Sequence, residues 1–176
     1  MSASPTDGSL RQNLELKARC PDPARVEAAL QRLGARNEGV LVQRDTYFPV
    51  PHGRLKLREI EGAPAQLIAY DRPEEQAQRF SQYRISEVPD PAGLIAVLSA
   101  ALGVRGVVAK RRHLYLWQES RIHLDEVEGL GHFLEFEVVS QGSACDDWDR
   151  MEALMTAFGL RDSDAIQASY SDLLGF

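Results

Sequence analysis

Apolar and polar residues alternate along much of the chain, and the polar positions are charged to an unusual degree. From Asn13 to Cys20, Asn13, Glu15, Lys17 and Arg19 fall on one parity and Leu14, Leu16 and Ala18 on the other, the period of two that marks a strand. Arg54, Lys56 and Arg58 interleave with Leu55 and Leu57, and Glu135 and Glu137 interleave with Leu134, Phe136 and Val138. Further strands are predicted over Val40 to Pro49, Gln66 to Arg72, Gln82 to Val88, Val107 to Trp117 and Glu119 to Glu126, about eight in all. Within them Tyr70 and Arg72 share the parity of Ile68, Lys110 shares a face with Arg112, and Arg121, His123 and Asp125 share another.

Helices interrupt this pattern at recognisable stops. Pro21-Asp22-Pro23 ends the first strand, and Asp22 can cap a helix that has Pro23 at its first position. Val26, Ala29, Leu30 and Leu33 then form its apolar stripe before Gly34. Pro89-Asp90-Pro91-Ala92 echoes Pro21-Asp22-Pro23-Ala24 and again leads through a helix to a Leu-Gly, Leu102-Gly103. The echo predicts a sheet of two related halves, each a strand and a helix followed by antiparallel strands. Near the C-terminus, Asp146 or Asp147 is placed to cap a helix with Trp148, Met151, Leu154, Met155 and Phe158 on one face, ending at Gly159. A further segment, Asp164 to Leu174, is expected to pack outside the sheet.

Two arrangements satisfy this pattern. The apolar faces can meet a core while the charged faces meet water, the ordinary antiparallel sheet. Alternatively, about eight strands close into a barrel. The helices then cover its apolar exterior, and the charged faces line a polar tunnel. Such a tunnel needs solvent, ion pairs or a ligand to offset the cost of burying charge.

Composition narrows the setting. With 176 residues, 44% of them hydrophobic, one domain with a substantial core is expected, over 13–176, behind a polar tail at 1–12. The net charge of −6 argues against general nucleic-acid binding. No apolar run approaches the ~20 residues of a membrane helix, and the first residues lack the pattern of a secretion signal. Two widely spaced cysteines, Cys20 and Cys145, suit a reducing cytoplasm better than a disulfide framework. The four histidines show no zinc-type spacing.

A triphosphate suits the charged faces chemically. Side chains two apart on a strand lie about 6.6 Å from one another, so Lys56 with Arg58, or Lys110 with Arg112, can grip neighbouring phosphates. Carboxylates do not bind phosphate directly, but they hold Mg2+ or Mn2+, hard cations that prefer oxygen ligands.

Several motifs in order carry a resemblance. They are Asn13-Leu14-Glu15-Leu16-Lys17, Arg44-Asp45-Thr46-Tyr47-Phe48, Gly53 to Arg58, and Lys110-Arg111-Arg112. Leu124-Asp125-Glu126-Val127-Glu128-Gly129-Leu130-Gly131 follows, running into Phe133 to Glu137, and Ser169 to Leu174 closes the series. From Asn13 to about Leu174 the chain resembles the CYTH family, the triphosphate tunnel metalloenzymes, which include class IV adenylate cyclases, thiamine triphosphatases and inorganic triphosphatases. The resemblance implies an α+β fold: a closed antiparallel barrel of about eight strands around a charged tunnel, with helices outside.

It also implies metal ligation at Glu15, Glu135 and Glu137, with Asp125 nearby, and phosphate contacts from Lys17, Lys56, Arg58, Arg72, Arg84, Lys110 and Arg112. Glu15 or Asp125 is placed to orient a nucleophile, with Lys17 beside them as a catalytic candidate. The family's N-terminal signature is Glu-x-Glu-x-Lys, and Asn13 stands at its first Glu. That substitution removes one negative charge and implies weaker metal binding, or one metal in place of two. Tyr70 stands where many relatives carry a Lys.

The activity so implied is metal-dependent hydrolysis of a nucleoside, thiamine or inorganic triphosphate. Its alternatives are a class IV-type adenylate cyclase, making cyclic AMP and pyrophosphate from ATP, and a non-catalytic binder of triphosphate or polyphosphate. The expected partner is the small-molecule triphosphate, with a homodimer left open. Tyr47, Tyr83 and Tyr115 read as strand-packing residues, His123 as a hydrogen-bonded structural histidine, and Arg111 as solvated.

Overall fold

A computed structural model describes residues 10–20, 22–71, 79–140 and 142–176. Eight strands close into an antiparallel barrel: β1 Arg11–Arg19, β2 Arg36–Phe48, β3 Arg54–Ile60, β4 Ala63–Asp71, β5 Arg79–Val88, β6 Gly106–Trp117, β7 Ser120–Val127 and β8 Gly131–Val139. The order around the barrel is β1-β5-β4-β3-β2-β6-β7-β8, with β8 returning to β1. Exchanging β1 with β5, β2 with β6, β3 with β7 and β4 with β8 maps this ring onto itself. The two-half reading of the Pro-Asp-Pro echo therefore holds at the level of topology.

The helices are α1 Pro23–Leu33, α2 Pro91–Leu102, α3 Ala144–Phe158 and the single turn α4 Tyr170–Leu173. Local chemistry sets their ends. The Asp22 side chain accepts the Ala24 N–H at 3.0 Å. Gly34, at φ 63, supplies the left-handed cap that closes α1. Asp90 repeats the capping at α2, accepting the Gly93 N–H at 2.9 Å. α3 starts earlier than its acidic residues indicated, because Ser143 is its cap and accepts the Asp146 N–H. Asp147 is instead buried against Arg150, at 2.7 Å.

The main core lies outside the barrel wall. Leu14, Leu16 and Ala18 of β1 and Leu134, Phe136 and Val138 of β8 pack beneath Val26, Ala29 and Leu30 of α1 and Met151, Leu154 and Phe158 of α3. Each fully buried side chain of this size stabilises the fold by roughly 1.5–3 kcal/mol. With the apolar parity committed to this layer, the opposite parity must face inward. Solvation of the charged faces by bulk water is thereby excluded for these strands.

Two boundaries move. β1 begins at Arg11, so Arg11 and Gln12 pair with Tyr83 and Gln82 of β5 and do not belong to a tail. β2 begins at Arg36, with an irregularity between Asn37 and Gly39. The segment after α3 packs along the outside, with Ala165 against the outer core, and then closes one end: Ile166 N–H donates to the Lys17 carbonyl, Ala165 bridges Ala18, and Tyr170 enters the barrel mouth. No helix among the described residues is long and apolar enough to cross a membrane.

Candidate active site in the barrel interior

The interior holds a cavity of about 300 Å³, at the lower end of the range for small-molecule sites. Its cationic lining comes from Arg11, Lys17, Lys56, Arg58, Lys110, Arg112 and Arg121, and its acidic lining from Glu15, Asp45, Glu135 and Glu137. Seven cations against four carboxylates make this a positive cavity in a chain whose net charge is −6.

On one wall, Asp45 of β2 stands directly opposite Arg58 of β3. Asp45 accepts from Arg58 Nε and Nη2, each at 2.9 Å, and from Lys56 Nζ at 2.9 Å. Burial pushes the Asp45 carboxyl up, but Arg58 and Lys56 outweigh it and hold the group well below the usual carboxylate range. Two cations on one acid leave this wall positive.

On the adjoining wall, Arg112 of β6 is paired with Asp125 of β7 and donates to both its oxygens at 2.6 Å. The same guanidinium donates to Glu135 Oε2 and lies 3.9 Å from Glu137 Oε1. Glu137 in turn accepts from Arg121 at 3.0 Å. Burial raises the carboxyl of Glu135, yet Arg112 and Lys17 hold it below its ordinary value. Burial likewise raises that of Glu137, but His123, Arg121 and Arg112 together bring it down. Both are therefore ionised at neutral pH.

The third wall joins β1 to β8. Glu15 stands directly across from Glu137, and Lys17 across from Glu135. Like charges facing each other across a strand pair are destabilising without a cation between or beside them. Asn13, at the displaced position of the signature, is buried and its Oδ1 accepts a 3.4 Å hydrogen bond from the Tyr83 hydroxyl.

Tyr170 closes one side. Its hydroxyl donates to Asp125 Oδ2 at 2.8 Å, and its ring lies under Lys17 Nζ at 4.3 Å and Lys110 Nζ at 5.0 Å. Lys17 also donates to the Ala168 carbonyl at 2.9 Å. Arg54 anchors the segment from the mouth by donating to Ser169 Oγ at 2.7 Å and to both oxygens of Asp172. Burial and the Arg112 charge push the Lys110 ammonium down to about 8, against the opposing pull of Asp125 and Asp45. Lys110 is thus a cation at neutral pH that loses its charge in mildly alkaline solution.

Of the expected site residues, Glu15, Lys17, Lys56, Arg58, Lys110, Arg112, Glu135 and Glu137 all reach the cavity. Arg84 does not: it sits on the parity opposite Ser81, Tyr83 and Ile85, and is exposed outside the barrel. Arg72 lies outside the described residues. Asp125 is a correction of another kind. Its side chain is 0% exposed, and Arg112, Lys110 and Tyr170 surround it, so it braces cations from behind the cavity wall. Asp45, Arg121 and Tyr83 also line the cavity, beyond the expected set. Asp45 lies inside the motif Arg44 to Phe48, but nothing in the alternation marks it as the partner of two cations.

His123 also departs from expectation. It is buried, and among the described residues neither ring nitrogen has a hydrogen-bond partner. Burial and Arg112 push its pKa down to about 4, so the ring is neutral at pH 7. Among the described residues, a metal-compatible cluster is formed by His123, Glu135 and Glu137, whose ligand atoms all lie within 4.8 Å of one another. An orphaned imidazole beside two ionised carboxylates fits a divalent cation. Glu15 faces this cluster across β1 and β8 without belonging to it.

Comparisons with known proteins agree with this architecture. The family model of the CYTH domain matches residues 11–170. The adenylate cyclase CyaB of Aeromonas hydrophila is 28% identical over 178 residues, spanning 93% of this chain and 88% of that protein. The PH1012 protein of Pyrococcus horikoshii OT3 superposes with a TM-score of 0.82 at 26% identity, over 92% of this chain and 98% of that one. HpAC1 from Hippeastrum, in which triphosphatase activity dominates, superposes with a TM-score of 0.61 over 92% of this chain and 93% of that one. Its identity is 16%, a likeness of fold alone.

Proposed function

The chain belongs to the CYTH domain family, and from the cavity it encloses we propose that it is a metal-dependent enzyme that hydrolyses a small-molecule triphosphate. The observation that carries this reading is the division of the cavity. A wall with two cations on one acid adjoins a wall where carboxylates gather around one arginine. A polyanion needs the first wall, and a divalent cation needs the second.

Lys56 and Arg58 bind phosphate oxygens, and Lys17 and Lys110 meet them from the side closed by Tyr170. Glu135 and Glu137 hold Mg2+ or Mn2+, with Glu15 facing them. When bound, the ion supplies charge neutralisation and polarisation of a phosphoryl oxygen. The protein's own share is positioning and electrostatic stabilisation, which phosphoryl transfer chiefly requires. Glu15 is the residue best placed to orient an attacking water, because Asp125 is occupied by its cations.

A cyclase shares the same clamp and is the second reading, favoured by the 28% identity to CyaB. There the 3′-hydroxyl of ATP attacks the α-phosphorus and pyrophosphate leaves. The third reading is a non-catalytic binder, favoured by Asn13 at the displaced carboxylate position.

The deciding experiment is a panel of tripolyphosphate, thiamine triphosphate and ATP with Mg2+, Mn2+ or chelator. Metal-dependent phosphate release is expected. Cyclic AMP with pyrophosphate makes the protein a cyclase, and tight binding without turnover makes it a binder. Absence of both binding and turnover for every triphosphate in the panel overturns the proposal.

A further inference from the structure

We propose that His123 is a direct metal ligand, so that the cation site of this chain is a mixed nitrogen and oxygen site formed by His123, Glu135 and Glu137. The inference rests on the metal site proposed above and adds to it the donor that sets which cation is preferred.

Three observations carry it. First, His123 is 3% exposed, and neither Nδ1 nor Nε2 has a hydrogen-bond partner among the described residues. Buried polar atoms are almost always satisfied, and one left unsatisfied costs about 1–3 kcal/mol. Second, the ring points into the carboxylate cluster. His123 is the cross-strand partner of Glu135, and its Nε2 lies 3.8 Å from Glu137 Oε2. That separation is too long for a hydrogen bond. It is suited to two atoms that share one ion, each at about 2.0–2.2 Å from it. Third, the other groups around His123 do not hold the ring. Arg121 is engaged by Glu137 and Arg112 by Asp125 and Glu135, and a guanidinium has no acceptor to offer an imidazole N–H.

A nitrogen donor changes selectivity. Mg2+ prefers an all-oxygen shell, whereas imidazole favours later transition metals. A site built from His123 and two carboxylates therefore takes Ni2+ in preference to Mg2+, and binds Mn2+ more weakly than Ni2+.

The test uses the full chain. Electron spin-echo envelope modulation of the Mn2+-loaded protein is expected to show coupling to a directly bound 14N nucleus, which His123→Gln abolishes. Calorimetric titration with Ni2+ is expected to show at least a tenfold loss of affinity in His123→Gln, with Mg2+ affinity changed less than twofold. Circular dichroism confirms that the variant is folded, and the wild-type spectrum stands even if the variant is not. Mn2+ bound in a manner that Glu137→Gln weakens, but without 14N coupling, overturns the histidine ligand and leaves the carboxylate site standing. If no Mn2+ binds at all, the histidine ligand and the metal site fail together, while metal-free tripolyphosphate binding still reports on the cationic wall.

Discussion

The pair Asp45–Arg58 on β2 and β3 and the pair Arg112–Asp125 on β6 and β7 are the same device with its polarity reversed. Each joins direct cross-strand partners 13 residues apart through two hydrogen bonds to one carboxylate. β2 and β6 exchange under the pseudo-twofold of the barrel, as do β3 and β7. In one half the acid comes first, and in the other the arginine does.

The neighbours decide what each pair becomes. Lys56 adds a second cation to Asp45, whereas Glu135 and Glu137 add carboxylates around Arg112. Both acids are buried, Asp45 at 2% and Asp125 at 0%, but the cations of the first wall keep partial access to solvent, with Lys56 and Arg58 side chains 12% and 17% exposed against 4% for Arg112. One register thus yields a wall where two cations share one acid in one half and a wall where carboxylates gather around one arginine in the other.

Removing the acid from each pair tests the difference in burial, and the larger effect falls on the deeper pair. Asp125→Asn leaves Arg112 short of its bidentate partner in a sealed wall. It is expected to cost about 3–5 kcal/mol in urea denaturation, the range for breaking a buried ion pair. Removing a cation tests the ligand assignment. Arg58→Met is expected to weaken tripolyphosphate binding by about 1.5–3 kcal/mol, the value of a charge-assisted hydrogen bond, as read by calorimetry. An unchanged affinity would remove Arg58 from the phosphate site.

Asp45→Asn is expected to cost less than Asp125→Asn, about 1–3 kcal/mol, because its cations can still reach water. Equal losses for the two variants would mean that the walls do not differ in burial as described. The smallest effect is a titration. Lys110 carries its charge at neutral pH and loses it as the pH rises through about 8. A bound polyanion favours the charged form, so binding takes up a proton above that point. Affinity for tripolyphosphate should fall about fivefold between about pH 8 and about pH 9, following the protonated fraction. Lys110→Arg should flatten this fall, and a fall that persists in that variant assigns it elsewhere.

Much of this molecule was written in local pattern. Alternation placed Glu15 with Lys17, Lys56 with Arg58, and Glu135 with Glu137 on common faces, and the Asp caps with their following prolines set where α1 and α2 begin. These are short-range properties, because strand parity and helix capping depend on residues a few positions apart. Alternation also placed Arg121, His123 and Asp125 together, but it could not tell that Asp125 would be sealed behind cations or that His123 would lack a partner.

What alternation left open was direction and partnership. The charged faces turn inward because α1 and α3 cover the apolar parity and β8 returns to β1. That closure sets Glu15 against Glu137, brings Tyr170 from the C-terminal segment beneath Lys17 and Lys110, and leaves Arg84 outside. Each of these joins residues far apart in the chain, and no local propensity encodes it. A strand's period states which side chains share a face, and only the closed register of the barrel states what that face meets.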